Sequence, residues 1–251
     1  MFSYITSPIE FLLTFLYHFT GDNLGLAIIF LTLIVRGVLV PITLPSLKSI
    51  KKMQELKPTI DKLKAKHGSD NQQFQLAQLE LYKQHGVNPL SGCLPQIAQL
   101  VVLIALYQVF LKFISHPEIN GGVLNFNFLW LDLAKKDPYY VLPILAGVSQ
   151  MVFSLMMTTG TEKHIENPKN KTDKKKEEDS LEMAQSMQQQ MLFMMPIMTT
   201  IISLNFASGL TLYWVITTIF SIGQQYIISG LGGLKNVPLQ INSLLGRFRP
   251  A

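Results

Sequence analysis

The stretch that decides the fold is LGLAIIFLTLIVRGVLVPITLP, residues 24–45. It carries one charge, Arg36, in the run Leu33-Ile34-Val35-Arg36-Gly37-Val38. A helix needs about 20 mostly apolar residues to cross a bilayer, so this stretch has the length and character of a membrane span. An arginine near the middle of such a helix costs about 2.5–3.5 kcal/mol on insertion scales. The C-terminal end of the span is about 13 Å away at 1.5 Å per residue, about twice the reach of the side chain, so snorkelling offers no easy escape.

Four further apolar blocks follow, Leu94–Ile114, Tyr139–Thr158, Met191–Ala207 and Gly209–Ser229. Ser208-Gly209 leaves room only for a tight turn, so the last two blocks are expected to form a close antiparallel hairpin over 191–229. The composition agrees with a membrane protein: 48% of residues are hydrophobic and 15% charged, against roughly 25% charged in a soluble domain. Ile5–Phe19 is apolar but short and broken by Glu10 and His18, and reads as an interfacial helix within residues 1–23. It has no basic leader and no small-residue cleavage site, so it is not expected to be a cleaved signal peptide.

The basic residues set the orientation. Residues 1–23 contain no Lys or Arg, and the segment 115–138 contains two, Lys135 and Lys136. The segment 46–93 contains eight lysines, 159–190 contains six, and the tail 230–251 adds Lys235, Arg247 and Arg249. Positive charge collects on the cytoplasmic side, so the N-terminus is expected outside and the C-terminus in the cytoplasm. Residues 46–86 keep helical spacing through Leu47, Ile50, Met53, Leu56, Ile60 and Leu63. After a break at His67-Gly68 the spacing resumes through Phe74, Leu79 and Tyr82, which predicts a cytoplasmic helical hairpin with a lysine-rich face. Residues 159–190, with Asn167-Pro168 and the charged run Lys171–Asp179, are expected to be a disordered loop. The expected fold is thus an all-α integral membrane protein: five transmembrane helices, an N-terminal interfacial helix and a cytoplasmic helical hairpin.

Arg36 has no carboxylate to meet, because no Asp or Glu lies in any of the five blocks. Water is the remaining solution, so Arg36 is expected to face a hydrated cavity that opens toward the cytoplasm. At 100° per residue, Gly25, Thr32, Arg36 and Thr43 fall within about 40° of one another. Thr211, Trp214, Thr218, Ser221 and Gln225 share a face of the fifth block within about 80°. Gln96, Gln99 and Tyr107 share a face of the second, and the third adds Ser149 and Gln150. Together these faces are expected to line one groove, although Ser, Thr and Gln in membrane helices also serve as hydrogen-bond glue between neighbours. Met183, Met187, Met191, Met194 and Met198 form another stripe entering the fourth block. Ordinary packing or lipid contact accounts for it better than a docking face for varied apolar partners.

Other chemistry finds little support. Cys93 is the single cysteine, so there is no disulfide framework, and the five histidines lack ligand spacing. No phosphate-binding glycine loop is present. No metal or cofactor is expected, and the distribution of the +5 charge fits topology and anionic lipid rather than nucleic acid.

These residues resemble the YidC/Oxa/Alb3 membrane protein insertases along nearly the whole chain. Ile34-Val35-Arg36-Gly37 through Pro41-Ile42-Thr43 looks like the family's arginine-bearing span. Leu81-Tyr82-Lys83-Gln84-His85-Gly86-Val87-Asn88-Pro89-Leu90 through Pro95 is similar to the junction between the family's cytoplasmic hairpin and its next span. Phe128-Leu129-Trp130-Leu131-Asp132-Leu133, Met195-Pro196-Ile197-Met198 and Gly209-Leu210-Thr211-Leu212-Tyr213-Trp214 extend the likeness to the external loop and final hairpin. The chain departs from the pattern at Ala207-Ser208-Gly209, which lacks the usual proline, and at Val101. The large external domain of some members and the lipoprotein signal of others are not expected. The resemblance implies an insertase, not an enzyme. Nascent membrane segments enter the groove, Arg36 attracts acidic groups of the translocated tail, and the segment leaves into the phospholipid bilayer. By the same resemblance Thr32 and Trp214 contact the client and the hairpin receives it. The resemblance leaves open whether the Sec translocon and the ribosome are partners.

The competing class is a small secondary transporter or channel, which calls for intramembrane carboxylates or broken helices in two related halves. An intramembrane enzyme requires a nucleophile with His, or paired aspartates. No His, Asp or Glu lies in the blocks, and the chain has no internal repeat.

Overall fold

Asn23 opens the decisive helix: its side-chain oxygen accepts from the Leu26 amide at 3.0 Å. This satisfies one of the donors that every helix start leaves without an internal partner. From that cap the helix runs on to Glu55. The structure is a computed structural model and describes residues 3–67, 70–88, 94–119, 122–157, 194–231 and 234. Among them the helices are α1 (Ser3–Phe19), α2 (Leu24–Glu55), α3 (Lys57–His67), α4 (Asn71–Gln84), α5 (Leu94–Ser115), α6 (Val141–Met157), α7 (Met194–Ser203) and α8 (Ser208–Ser229). Two of them, α2 and α5, are long and apolar enough to cross a membrane, and α6 and α7 are shorter apolar helices.

The apolar run predicts a first span ending at Pro45, but α2 continues beyond it with Pro41 and Pro45 inside the helix. The end of an apolar run is not the end of a helix. Leu47, Ile50 and Met53 keep helical spacing past it and are buried. Other ends also shift. Helix α6 begins at Val141, α7 ends at Ser203, and Ser208-Gly209 open α8 rather than forming the turn before it. The start of α8 is held by the loop before α6: the Ser208 and Gly209 amides donate to the carbonyls of Lys135 and Leu133 at 2.7 and 3.1 Å. The start of α6 is held by buried Asp137, whose carboxylate accepts from the amides of Tyr139 and Leu142 at 3.0 and 2.7 Å. The segment 159–190, with Met183 and Met187, and Met191 lie outside the described residues.

The bundle packs α8 against α6 and α2, and α1 against α2 and α5. Its main core gathers Leu16 and Tyr17 of α1, Ile28 and Leu31 of α2, Phe110 of α5, Leu142 of α6 and Tyr213 of α8. The expected interfacial helix α1 therefore buries one face in the bundle while Tyr4, Phe11, Phe15 and Phe19 stay exposed. Glu10 of α1 and Lys112 of α5 form an ion pair across that packing. A second, smaller core joins Leu47, Ile50 and Met53 of α2 to Val87, with Tyr82, Met157 and Ile228 packed on it. Between α5 and α6 the chain forms two short antiparallel ladders, β1 (Glu118–Ile119) with β2 (Gly122–Val123) and β3 (Asn127–Phe128) with β4 (Leu131–Asp132). Exposed Lys135 lies 2.7 Å from Asp132, and this hydrogen bond and charge hold its ammonium above the ordinary lysine range.

Glycine allows two of the closest approaches. A Cβ on Gly25 would lie 2.1 Å from the Phe128 ring, and one on Gly209 would lie 2.1 Å from that of Phe110. Phe110 is fully buried and has little room to retreat. Gly209→Ala is therefore expected to destabilise the bundle by about 1–3 kcal/mol, the usual cost of overpacking. A melting curve of the purified variant checks this, and an unchanged Tm would show that the α5–α8 contact yields.

Candidate functional site

Arg36 lies on the α2 face that turns into the bundle, and its side chain is buried. Its Nη2 donates to Gln99 Oε1 on α5 at 2.6 Å. Gln99 Nε2 in turn donates to the hydroxyl of Tyr213 on α8 at 3.0 Å. Gln99 is 9% exposed and Tyr213 2%, so three helices meet in one buried polar chain. The absence of carboxylates predicts water as the partner of Arg36, and the structure adds an amide. A buried polar group needs a hydrogen-bond partner, but the partner need not be charged.

Beside this chain is a cavity of about 50 Å³ lined by Arg36, Pro95, Gln96, Gln99, Gln150, Phe153, Trp214, Thr217, Thr218 and Ser221. A water needs about 10–15 Å³ of such space and several polar neighbours, so the cavity has room for a few waters. The lining comes from the early turns of α5, the later half of α6 and the middle of α8. It therefore sits toward the end of the bundle where α2 runs on to α3.

Six expected site residues meet here: Arg36, Gln96, Gln99, Gln150, Trp214 and Thr218. Three do not line the cavity. Thr32 is fully buried and its hydroxyl donates to the Ile28 carbonyl at 2.6 Å. The Thr211 hydroxyl faces the carbonyls of Ser203 and Ala207, at 3.4 Å each. Gln225 is fully buried, and its amide has no hydrogen-bond partner among the described residues. Of the other residues on these faces, Thr43 bonds back to Leu39, Ser149 bonds back to Ala146, and Tyr107 stacks on Phe206. A hydroxyl on a helix can return to its own backbone, which is why polar periodicity alone selects too many residues. Tyr213 and Phe153 fall outside the expected set. Phe153 carries no polar signal, whereas Tyr213 has one, since a phenol inside an apolar helix usually needs a partner for its hydroxyl.

The family model described as 60Kd inner membrane protein matches residues 15–232. The membrane protein insertase MisCA of Bacillus subtilis is 36% identical over 237 residues, covering 93% of this chain and 80% of the relative. The membrane protein insertase YidC of Fusobacterium nucleatum is 34% identical over 235 residues, covering 92% of this chain and 99% of the relative. That of Shewanella baltica is 39% identical, and the match covers 92% of this chain but 38% of its length. A crystal structure described as an active YidC insertase with the first transmembrane domain resolved has a TM-score of 0.63. It is 24% identical, with 90% of this chain and 46% of that one covered, and shares the fold. The chain belongs to the 60Kd inner membrane protein family, the YidC/Oxa/Alb3 proteins. Its bacterial relatives make it a plasma-membrane protein. This membership, not the missing carboxylates, decides between an insertase and a transporter.

Proposed function

We propose that this chain is a membrane protein insertase that receives nascent membrane segments at the polar cavity beside Arg36 and releases them into lipid. One observation carries the mechanism: a buried arginine borders a water-sized cavity walled by Gln96, Gln99, Gln150 and Thr218. A translocating tail must cross a hydrocarbon core about 30 Å thick. Polar walls and water within the bundle shorten the apolar part of that path. Arg36 attracts carboxylates of the tail, and half-buried Trp214 offers an apolar surface to the following segment. Thr32 has its expected contact with the client only in a more open bundle, since its side chain is fully buried here. The segment then moves into lipid, driven by burial of its own apolar surface. No bond is made or broken, and the chain is not an enzyme. The test is a proteoliposome assay with the purified chain and a small client. Insertion no faster than in protein-free liposomes would reject the function.

The proposed topology has five spans, α2, α5, α6, α7 and α8, with the N-terminus outside and the C-terminus in the cytoplasm. It is supported by the lysines of segments 46–93 and 159–190. In a Cys93→Ser background, Ser3→Cys and Asn120→Cys are expected to react with an impermeant thiol reagent added outside, and Asp70→Cys is not. Labelling of position 70 in intact cells would overturn this topology.

A further inference from the structure

We propose that Gln99 is a neutral placeholder that holds Arg36 until a client carboxylate displaces it, with Tyr213 as the positioning residue that anchors its amide. The inference deepens the insertase reading above and rests on it. The hydrogen bonds fix which way the amide points. A guanidinium only donates, so the atom 2.6 Å from Arg36 is the amide oxygen. The nitrogen then faces the Tyr213 hydroxyl, which accepts at 3.0 Å. Rotating the amide by half a turn would set its N–H groups against the guanidinium, so Arg36 fixes which end faces it, and the Tyr213 hydroxyl anchors the other end.

The pairing is matched to a partner that must leave. A guanidinium carries five N–H donors in a planar fork, and the hydrogen bond to Gln99 engages one nitrogen, Nη2. A carboxylate can take two donors side by side and adds the attraction of opposite charges, whereas the amide makes one bond assisted by the guanidinium charge alone. An arriving carboxylate therefore outcompetes the amide, and the cavity that Arg36 and Gln99 both line gives it access. A resident carboxylate at position 99 would close the same fork permanently, and an apolar residue would leave Arg36 without this partner. Glutamine lies between these extremes: it holds the arginine in place and yields to charge.

The experiment uses the full chain in proteoliposomes with three clients identical except for acidic, neutral or basic translocated tails. The readout is the ratio of acidic-tail to neutral-tail insertion, which a merely structural role would leave unmoved. Gln99→Glu is expected to lower that ratio by about five- to tenfold, because a resident carboxylate occupies the guanidinium before the tail's carboxylate arrives. Gln99→Leu is expected to raise it, because the competitor is gone. Tyr213→Phe, which keeps the ring, frees the amide and is expected to shift the ratio in the same direction as Gln99→Leu. Melting curves identify any variant that fails to fold, and the Tyr213→Phe arm then carries the test. A wild-type preference for acidic tails that Gln99→Glu leaves intact, or that Tyr213→Phe lowers, overturns the placeholder but leaves the insertase reading standing. A wild type that inserts all three tails equally overturns the attraction by Arg36 and the placeholder with it.

Discussion

Arg36→Ala is expected to lower insertion of acidic-tailed clients by about tenfold or more, where each 1.4 kcal/mol of lost attraction counts as one factor of ten. A hydrogen bond to a charged group contributes about 1.5–3 kcal/mol, which sets the scale. Neutral tails lose less, because they forfeit only the water that the guanidinium draws into the cavity. Strongly hydrophobic clients lose least, since burial in lipid supplies most of their driving force. Arg36→Lys is expected to keep a substantial part of the activity, because charge matters more here than the planar fork. The bundle should survive the alanine substitution. Gln99 loses its 2.6 Å partner, but it borders the same cavity, where water can replace that bond. The lost bond to a charged group, about 1.5–3 kcal/mol, is offset by removal of a charge that is costly to bury, so the net change in stability is small. Insertion of matched acidic, neutral and basic tails by the alanine variant is the measurement. Equal loss on all three would reject attraction and leave Arg36 with a hydrating role.

The legible part of this protein follows from one physical conflict, a charge inside an apolar helix. Arg36 announces a polar interior, and Gln96, Gln99, Gln150, Trp214 and Thr218, chosen by helical periodicity, do line a cavity with it. Periodicity fixes which side of a helix a residue occupies. It does not say whether a hydroxyl reaches a neighbouring helix or folds back on its own, as those of Thr32, Thr43 and Ser149 do. Tyr213 escapes for a related reason. It stands one residue from Trp214, about 100° around the helix, and so falls off the chosen face although its hydroxyl anchors Gln99. Hydropathy likewise finds where a chain stops being apolar, and α2 continues as a helix past that point. The carbonyls of Leu133 and Lys135 that hold the start of α8 are distant in the chain, a pairing no local pattern encodes.

Removing residues 57–80, with a short Gly-Ser linker in their place, is expected to lower insertion by about tenfold or more, a loss of at least 1.4 kcal/mol in client reception. The loss should fall equally on acidic, neutral and basic tails, which separates it from the charge-selective effect of Arg36→Ala. The motive is how lightly this part of the chain is held. Helices α3 and α4 pack on each other, and Ile60 is the one residue of α3 that is buried. Lys62, Lys64 and Lys66 are exposed, as is Leu76 of α4. A segment with few buried apolar contacts opens at low free-energy cost, which is the property that reception of a client by this pair would require. The deletion spares Tyr82 and Val87, which belong to the second core with Leu47, Ile50 and Met53. The membrane bundle is therefore expected to keep its Tm, and a melting curve of the variant checks that the loss is not unfolding. Unchanged insertion by a folded deletion variant would remove α3 and α4 from client reception.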